Sequence, residues 1–232
     1  MQNEIYNMYF FKEIRGGLTL NYILGLMPQV LEGLKVTLKI FILTLILAIP
    51  LGILISVMRT SKSLILKKLS GAYVLIMRGT PLLLQIVVIF FGLPIIGIKF
   101  DRFPAAILAF TLNYGAYFGE IFRAGILSID SGQVEGAEVL GLSKKDTFFR
   151  IILPQALKTV LPPVANEVTT LVKDTSLVYV IGLDEMLKVA KNAVNRDVSL
   201  VPLLVTGVVY LIVIAILSKA LQKIEQKYDY YK

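Results

Sequence analysis

Apolar residues run through this chain in long blocks separated by short polar gaps. A bilayer core about 30 Å thick takes about 20 apolar residues as a helix, and these blocks have that length. Ile40 to Val57 is the cleanest block, bounded by Lys39 and Arg59, with Pro50 and Gly52 tolerable inside a helix bundle. Met58 to Ser70 reads as a basic loop. Leu69 to Ile96 is apolar but interrupted at Arg78-Gly79-Thr80-Pro81, which predicts a kink or a break. Phe103 to Ile126 forms a third span carrying Asn113, Glu120 and Arg123. Ala156 to Ile181 is a fourth, unusually polar span with Pro162-Pro163 near its start, and Val198 to Leu217 is the fifth. Ahead of them, Leu18 to Leu34 mixes apolar positions with Asn21, Pro28, Gln29 and Glu32. It reads as an interfacial amphipathic helix, with a buried sixth span as the alternative. No internal repeat or low-complexity segment stands out. The pattern predicts an all-α polytopic membrane protein of five transmembrane helices, one domain over residues 1–232 with a polar tail over 219–232.

Composition supports the membrane reading. Of 232 residues, 56% are hydrophobic and 17% charged, and the mean hydropathy is +0.75, well outside the range of a soluble domain. The net charge of +8 does not indicate nucleic acid, because the basic residues are spread over loops and tails without forming one patch. They report topology instead. Arg59, Lys62, Lys67, Lys68, Lys144, Lys145, Arg150, Lys158, Lys219, Lys223, Lys227 and Lys232 fall on one side. Only Lys12, Arg15, Lys99, Arg102, Lys188, Lys191 and Arg196 fall on the other. The positive-inside rule makes the first side cytoplasmic, with the N-terminus outside and residues 1–35 extracytoplasmic or interfacial. No cleavable signal peptide is evident between Met1 and Arg15, so the first span is expected to serve as the insertion signal. The chain has no cysteine, histidine or tryptophan, which removes thiol and histidine metal sites, disulfides and histidine-based triads. The stretch from Gly92 to Lys99 lacks the Gly-Lys-Ser/Thr ending of a phosphate-binding loop. If the protein does energised work, another subunit supplies the energy.

The long polar gap over 128–154 is the most informative part of the chain. Glu135, Glu138 and Leu142 lie at helical spacing, with Ala137 and Gly141 on a small-residue face. Leu140, Leu142, Phe148 and Phe149 add apolar knobs, while Lys144, Lys145 and Arg150 add a charged rim. Anchors inside a charged rim suit a docking surface better than a catalytic loop. Glu135-Gly136-Ala137, then Gly141, then Ile151-Ile152-Leu153-Pro154 gives the spacing E-G-A-x3-G-x9-I-x-L-P. This resembles the EAA loop of the membrane-spanning subunits of binding-protein-dependent ABC importers, with Gly136 where the pattern usually has Ala. The resemblance implies a short cytoplasmic helix seated in a cleft of the ATP-hydrolysing subunit. Docking would fall to Glu135, Gly136, Ala137, Glu138, Gly141, Leu142, Leu153 and Pro154.

Charges inside the spans need partners or a watery path, since one at the bilayer centre costs about 2.5–3.5 kcal/mol on insertion scales. Asn113, Tyr117 and Glu120 fall at i, i+4 and i+7, one polar stripe of the third span. Glu120 and Arg123 could form a mutual ion pair, or Glu120 could meet substrate. In the fourth span Glu167, Thr170 and Asp174 share a face, Asn166 lies beside Glu167, and the double proline upstream would free backbone carbonyls near the same depth. Glu167 is a candidate for favouring a cationic side chain, or else it pairs with an Arg or Lys of a neighbouring helix. Arg78, Arg123, Lys173 and Asp174 read as structural charges, with Arg78 and Asp174 a possible cross-bundle pair. Gly115 and Gly119 form a G-x-x-x-G pair that permits close helix approach.

Three stretches, Asn113 to Gly125, Arg78-Gly79-Thr80-Pro81 and Lys173-Asp174-Thr175-Ser176-Leu177, resemble the matching segments of polar amino-acid permeases within the same ABC family. The resemblance spans roughly residues 20 to 220 and implies a type I importer permease of a bacterial plasma membrane. It implies pairing with a second, identical or related, permease. Its other partners would be ATPase subunits that bind ATP and Mg, an extracytoplasmic binding protein, lipid and an amino-acid substrate, with no cofactor or catalytic residue in this chain. An ion-coupled secondary amino-acid transporter is the alternative function. It would have no use for the docking motif, and five spans without inverted repeats suit it poorly. An intramembrane hydrolase is a further rival. The Ser–His form is excluded by composition, and an aspartyl form needs paired intramembrane aspartates where only Asp174 lies clearly within a span.

Overall fold

The computed structural model describes residues 20–228, and every regular element among them is helical. Lys12, Arg15, the signal region Met1 to Arg15, the start of the interfacial helix at Leu18 and the end of the tail (Tyr230, Tyr231, Lys232) lie outside the described residues. Helix α1 (Leu20–Thr60) is one uninterrupted helix of 41 residues. At 1.5 Å per residue it is about 60 Å long, twice the hydrocarbon core. The sequence reading had split it into an interfacial helix and a span. The continuity has a local cause: nothing between Leu34 and Ile40 breaks a helix, and the buried positions Leu26, Val30, Gly33, Thr37, Ile40, Thr44 and Ala48 form one stripe along its length. Asn21, Gln29 and Glu32 lie on the exposed side of that stripe.

The second apolar block is two helices, α2 (Leu64–Gly79) and α3 (Leu82–Val87), the latter prolonged by a π turn and a 3-10 turn to Ile96. They are bent by 103° at the break. Thr80 precedes a proline and is pushed out of the helical region, to φ −120°, ψ 146°. Helix α4 (Arg102–Leu127) runs through the middle and packs on α1, α2 and α3. Its most extensive contact is with α1. A Cβ on Gly52 would sit 2.6 Å from Phe118 Cβ, and one on Gly119 would sit 2.7 Å from Ile55 Cγ2. Gly115 and Gly119 therefore do permit the close approach their spacing predicts. Ile40, Ala48, Ile86, Phe110, Tyr114, Phe118 and Leu171 form the core around this crossing.

Beyond the polar gap, α7 (Leu153–Asp174) passes through Pro162 and Pro163 without a break and tightens into a 3-10 turn that ends at Gly182, φ 81°. The carbonyls freed by the prolines lie one turn upstream of them. They are eight or more residues from Glu167, about 12 Å along the axis, so they do not share its depth as the sequence reading expected. An unexpected helix, α8 (Met186–Asp197), lies against α1. Helix α9 (Val201–Lys227) continues about ten residues past Leu217, so Lys219 to Lys227 is the last part of a helix and not a separate tail. Its Lys, Gln and Glu residues are good helix formers.

α1 and α9 are each long and apolar enough to cross a membrane, and the bent α2–α3 pair is a third such element. Helices α4 and α7 carry the charges and line the interior of the bundle. Ile42, Ile46, Ile53, Leu75, Leu204, Leu211 and Ile216 point outward, as side chains in lipid do.

Candidate functional site

The break between α2 and α3 opens onto a pocket of about 600 Å³, bounded by α4 and α7. Arg78, Gly79, Thr80 and Pro81 enter from the break; Asn113, Tyr114 and Tyr117 from α4; Glu167, Thr170 and Asp174 from α7. Its size falls within the range of small-molecule sites, about 300–1,000 Å³. The Arg78 guanidinium carbon lies 5.0 Å from the centroid of the Tyr117 ring, a cation–π contact. Asp174 accepts a 2.8 Å hydrogen bond from the Tyr114 hydroxyl and is not ion-paired with Arg78 among the described residues, which corrects the expected cross-bundle pair. Glu167 makes neither an ion pair nor a hydrogen bond among those residues. One guanidinium thus faces two carboxylates across an open space, and each retains bonding capacity for a ligand.

Four of the six predicted substrate residues line this pocket, namely Asn113, Tyr117, Glu167 and Thr170. The other two do not. Glu120 is held by Arg123, whose Nε donates to both carboxylate oxygens at 3.0 Å and whose Nη2 also contacts Oε1. Arg59 Nη2 of α1 adds a fourth contact at 3.6 Å. Asn166 projects from the exposed face of α7, as does Lys173 one heptad later. Asn113 is buried and its amide is spent on the protein, donating to Met77 O at 2.9 Å and Gln85 Oε1 at 3.1 Å. Arg78 and Asp174, read from sequence as structural, are in the pocket, whereas Arg123 is not.

The docking loop is a second candidate surface. Helix α5 (Ser131–Val139) starts on Asp130, whose carboxylate accepts from Gly132 N at 2.6 Å. It ends in a Schellman turn in which Leu142 N donates to Ala137 O and Gly141 N to Glu138 O, both at 3.0 Å. Gly141 sits at φ 73°, the left-handed region where glycine carries no Cβ penalty. Its role is therefore to turn the chain, and it does not share one small face with Ala137, which is buried against the body of the loop. Glu135, Gly136 and Glu138 are exposed, and Val139 and Leu140 protrude at 87% and 80% exposure. Ser143 then caps the short α6 (Lys144–Thr147), and a π turn over Phe148–Ile152 leads into α7. Leu153 and Pro154 thus begin α7 directly after the π turn, which re-registers the backbone where Pro154 offers no N–H.

A model of the binding-protein-dependent transport system inner membrane component matches residues 48–229, which include both the pocket and the loop. The chain belongs to this family. Its relatives place it among the polar amino-acid permeases. The arginine transport system permease protein ArtQ of Bacillus subtilis (strain 168) is 39% identical over 202 residues, 86% of this chain and 92% of that protein. The L-cystine transport system permease protein TcyB of the same organism is 38% identical and covers 88% of each chain. A putative glutamine transport system permease protein GlnP of Rickettsia typhi (strain ATCC VR-144 / Wilmington) is 37% identical over 213 residues, 90% of this chain and 98% of that protein. Among solved structures, an amino acid ABC transporter crystallised with histidines superposes with a TM-score of 0.84 at 30% identity, over 90% of this chain and 99% of that one. The inward-facing methionine transporter MetNI shares the fold at 19% identity, with a TM-score of 0.69.

This permease is accordingly a transport subunit of an amino-acid ABC importer and not an enzyme. Sequence reasoning missed three residues of its pocket region. Tyr114 was hidden among other aromatics of α4, Thr80 was read only as part of the break, and Gln85 was taken as part of an apolar block. A polar amide in an otherwise apolar run, Leu82-Leu83-Leu84-Gln85-Ile86, was the available signal for Gln85.

Proposed function

We propose that this permease carries basic amino acids through the pocket at the α2–α3 break and draws its energy from a separate ATPase docked on α5. The observation that carries the substrate reading is the charge arrangement in the pocket, one guanidinium at Arg78 facing the carboxylates of Glu167 and Asp174. A zwitterion needs one group of each sign. A second carboxylate leaves one negative charge to meet a cationic side chain, so the site and a basic amino acid neutralise each other. Arg78 holds the substrate carboxylate, Asp174 and Thr170 the ammonium end, and Glu167 the cationic side chain. The similarity to an arginine-system permease supports this assignment.

The coupling reading rests on the protruding Val139 and Leu140 beside Glu135 and Glu138, an apolar tip with a charged flank on a rigid, doubly capped helix. ATP and Mg sit in the ATPase subunits. Their closure draws together the α5 helices of two permeases, a second copy or a paralogue, and rocks the bundles between inward-facing and outward-facing states. The binding protein delivers the amino acid on the outer side. The distribution of Lys and Arg supports an orientation with α5 and the end of α9 on the cytoplasmic side of a bacterial membrane and the N-terminus outside.

Uptake of labelled arginine and labelled glutamine into proteoliposomes holding the assembled importer tests the substrate reading. Glu167→Gln should lower arginine uptake about tenfold or more, as expected when a charge-assisted bond is lost, and leave glutamine uptake nearly unchanged. Equal loss for both would remove the basic bias.

A further inference from the structure

We infer that Gln85 is a positioning residue: together with Asn113 it pins the end of α2 so that Arg78 is presented to the substrate carboxylate. The inference rests on the proposed reading of the pocket as the substrate site.

A broken helix leaves its last carbonyls without partners, and inside a membrane each unsatisfied group costs several kcal/mol. Here the carbonyls of Ile76 and Met77, and that of Thr80 just beyond, are taken up by side chains. Thr80 Oγ1 donates to Ile76 O at 2.7 Å. Gln85 Nε2 donates to Met77 O at 2.9 Å, to Thr80 O at 3.2 Å and to Thr80 Oγ1 at 2.8 Å. Asn113 Nδ2 donates to the same Met77 O and to Gln85 Oε1. Both amides are buried, so their hydrogen bonds do not compete with bulk water.

Arg78 is the residue enclosed by these bonds, following Met77 and preceding Thr80 by two. Its own head group is tied to nothing but the Tyr117 ring, and among the described residues it makes no ion pair or hydrogen bond. Tyr117 lies one turn beyond Asn113 on α4, so one helix holds the backbone beside Arg78 and also the ring under its guanidinium. The side chain is free to bond a ligand while its Cα is fixed from both sides. A guanidinium of that kind is placed by its backbone, and the placement depends on Gln85, which together with Asn113 ties α2, α3 and α4 to one another.

The test is equilibrium binding of radiolabelled L-arginine to the purified permease–ATPase complex in nanodiscs, with ATP hydrolysis in the absence of arginine measured on the same samples. Arg78→Gln should weaken binding about tenfold or more. Gln85→Leu, which keeps the volume and removes the amide, should weaken it about tenfold as well, while arginine-independent hydrolysis stays within about twofold. The double variant should bind no worse than Arg78→Gln alone, because a pin has nothing to position once the guanidinium is gone. Thr80→Val is a milder probe on an accessible residue; it should weaken binding about threefold and show the same non-additivity. It decides the matter if Gln85→Leu does not assemble. Additive losses in the double variants, or binding unchanged in Gln85→Leu or in an assembled Thr80→Val, would overturn the positioning role while leaving the pocket reading intact. Unchanged binding in Arg78→Gln would instead overturn the pocket reading and this inference with it.

Discussion

Glu185 gives the permease a pH dependence that one substitution should erase. Its carboxylate is fully buried in the connection between α7 and α9. It caps α8, accepting from Leu187 N and Lys188 N at 2.7 Å each, and from the Tyr210 hydroxyl at 3.2 Å. The segment packs closely on α1, where a Cβ on Gly33 would sit 2.9 Å from Met186 Cα. Burial raises the acid from 4.5 to about 7, outweighing the two amide donors, Tyr210 and the Lys188 charge that pull the other way. The folded protein therefore holds this proton more tightly than the unfolded chain. The stabilisation is complete below about pH 4.5, is lost as pH rises through 7, and is flat beyond. At 1.36 kcal/mol per pK unit the change is on the order of 3 kcal/mol. Asp197, held down to about 2 by Arg196 and Tyr22, titrates well below this window. Thermal unfolding of the purified protein in detergent at pH 5 and pH 8 is the assay, wild type against Glu185→Gln. The amide keeps an acceptor for the cap without a charge. The variant should gain on wild type between pH 5 and pH 8 by several degrees, since about 1 kcal/mol moves the midpoint of a chain this size by about 2–4 °C. A wild-type-minus-variant difference that is the same at both pH values would refute the reasoning.

Other consequences follow from single contacts. Gly52→Leu would drive α1 off Phe118; overpacking of this kind costs about 1–3 kcal/mol and should appear as a lower melting temperature with no change in pH profile. Glu120→Gln should lower thermal stability by breaking the contacts to Arg123 and Arg59, yet leave arginine affinity within about twofold because Glu120 lies outside the pocket. Gly141→Ala places a Cβ at φ 73° and should cost about 1–2 kcal/mol locally. The readout is a drop in substrate-stimulated ATP hydrolysis at unchanged arginine affinity.

Much of this fold was legible because the bilayer enforces it. Block length gave α1, α9 and the bent α2–α3 pair as apolar spans, Arg78-Gly79-Thr80-Pro81 gave the break, and Gly115 with Gly119 gave a close crossing of α4 with α1. The EAA-like spacing located the loop. What was not legible depended on partners distant in sequence. Arg59 reaches Glu120 from another helix, which turned a candidate substrate ligand into part of an ion-pair cluster. Asn113 spends its amide on a carbonyl 36 residues away, which only the bend between α2 and α3 makes reachable. Lys39 looked like the edge of a membrane, yet α1 continues past it because its buried face packs on α8, a helix too short and polar for its role to show in a hydropathy pattern. Gly141 was read as a small contact and proved to be a turn, since spacing alone cannot report the sign of φ.

The central claim is that this permease is driven through α5 by a separate ATPase. Reconstitution with that ATPase, comparing wild type with Glu135→Arg and Gly141→Arg for complex assembly, ATP hydrolysis and arginine uptake, tests it most directly. The wild type should assemble and couple hydrolysis to uptake, and both variants should lose assembly or coupling. Uptake by the chain without any ATPase, or full coupling in both variants, would contradict it and favour an ion-coupled carrier.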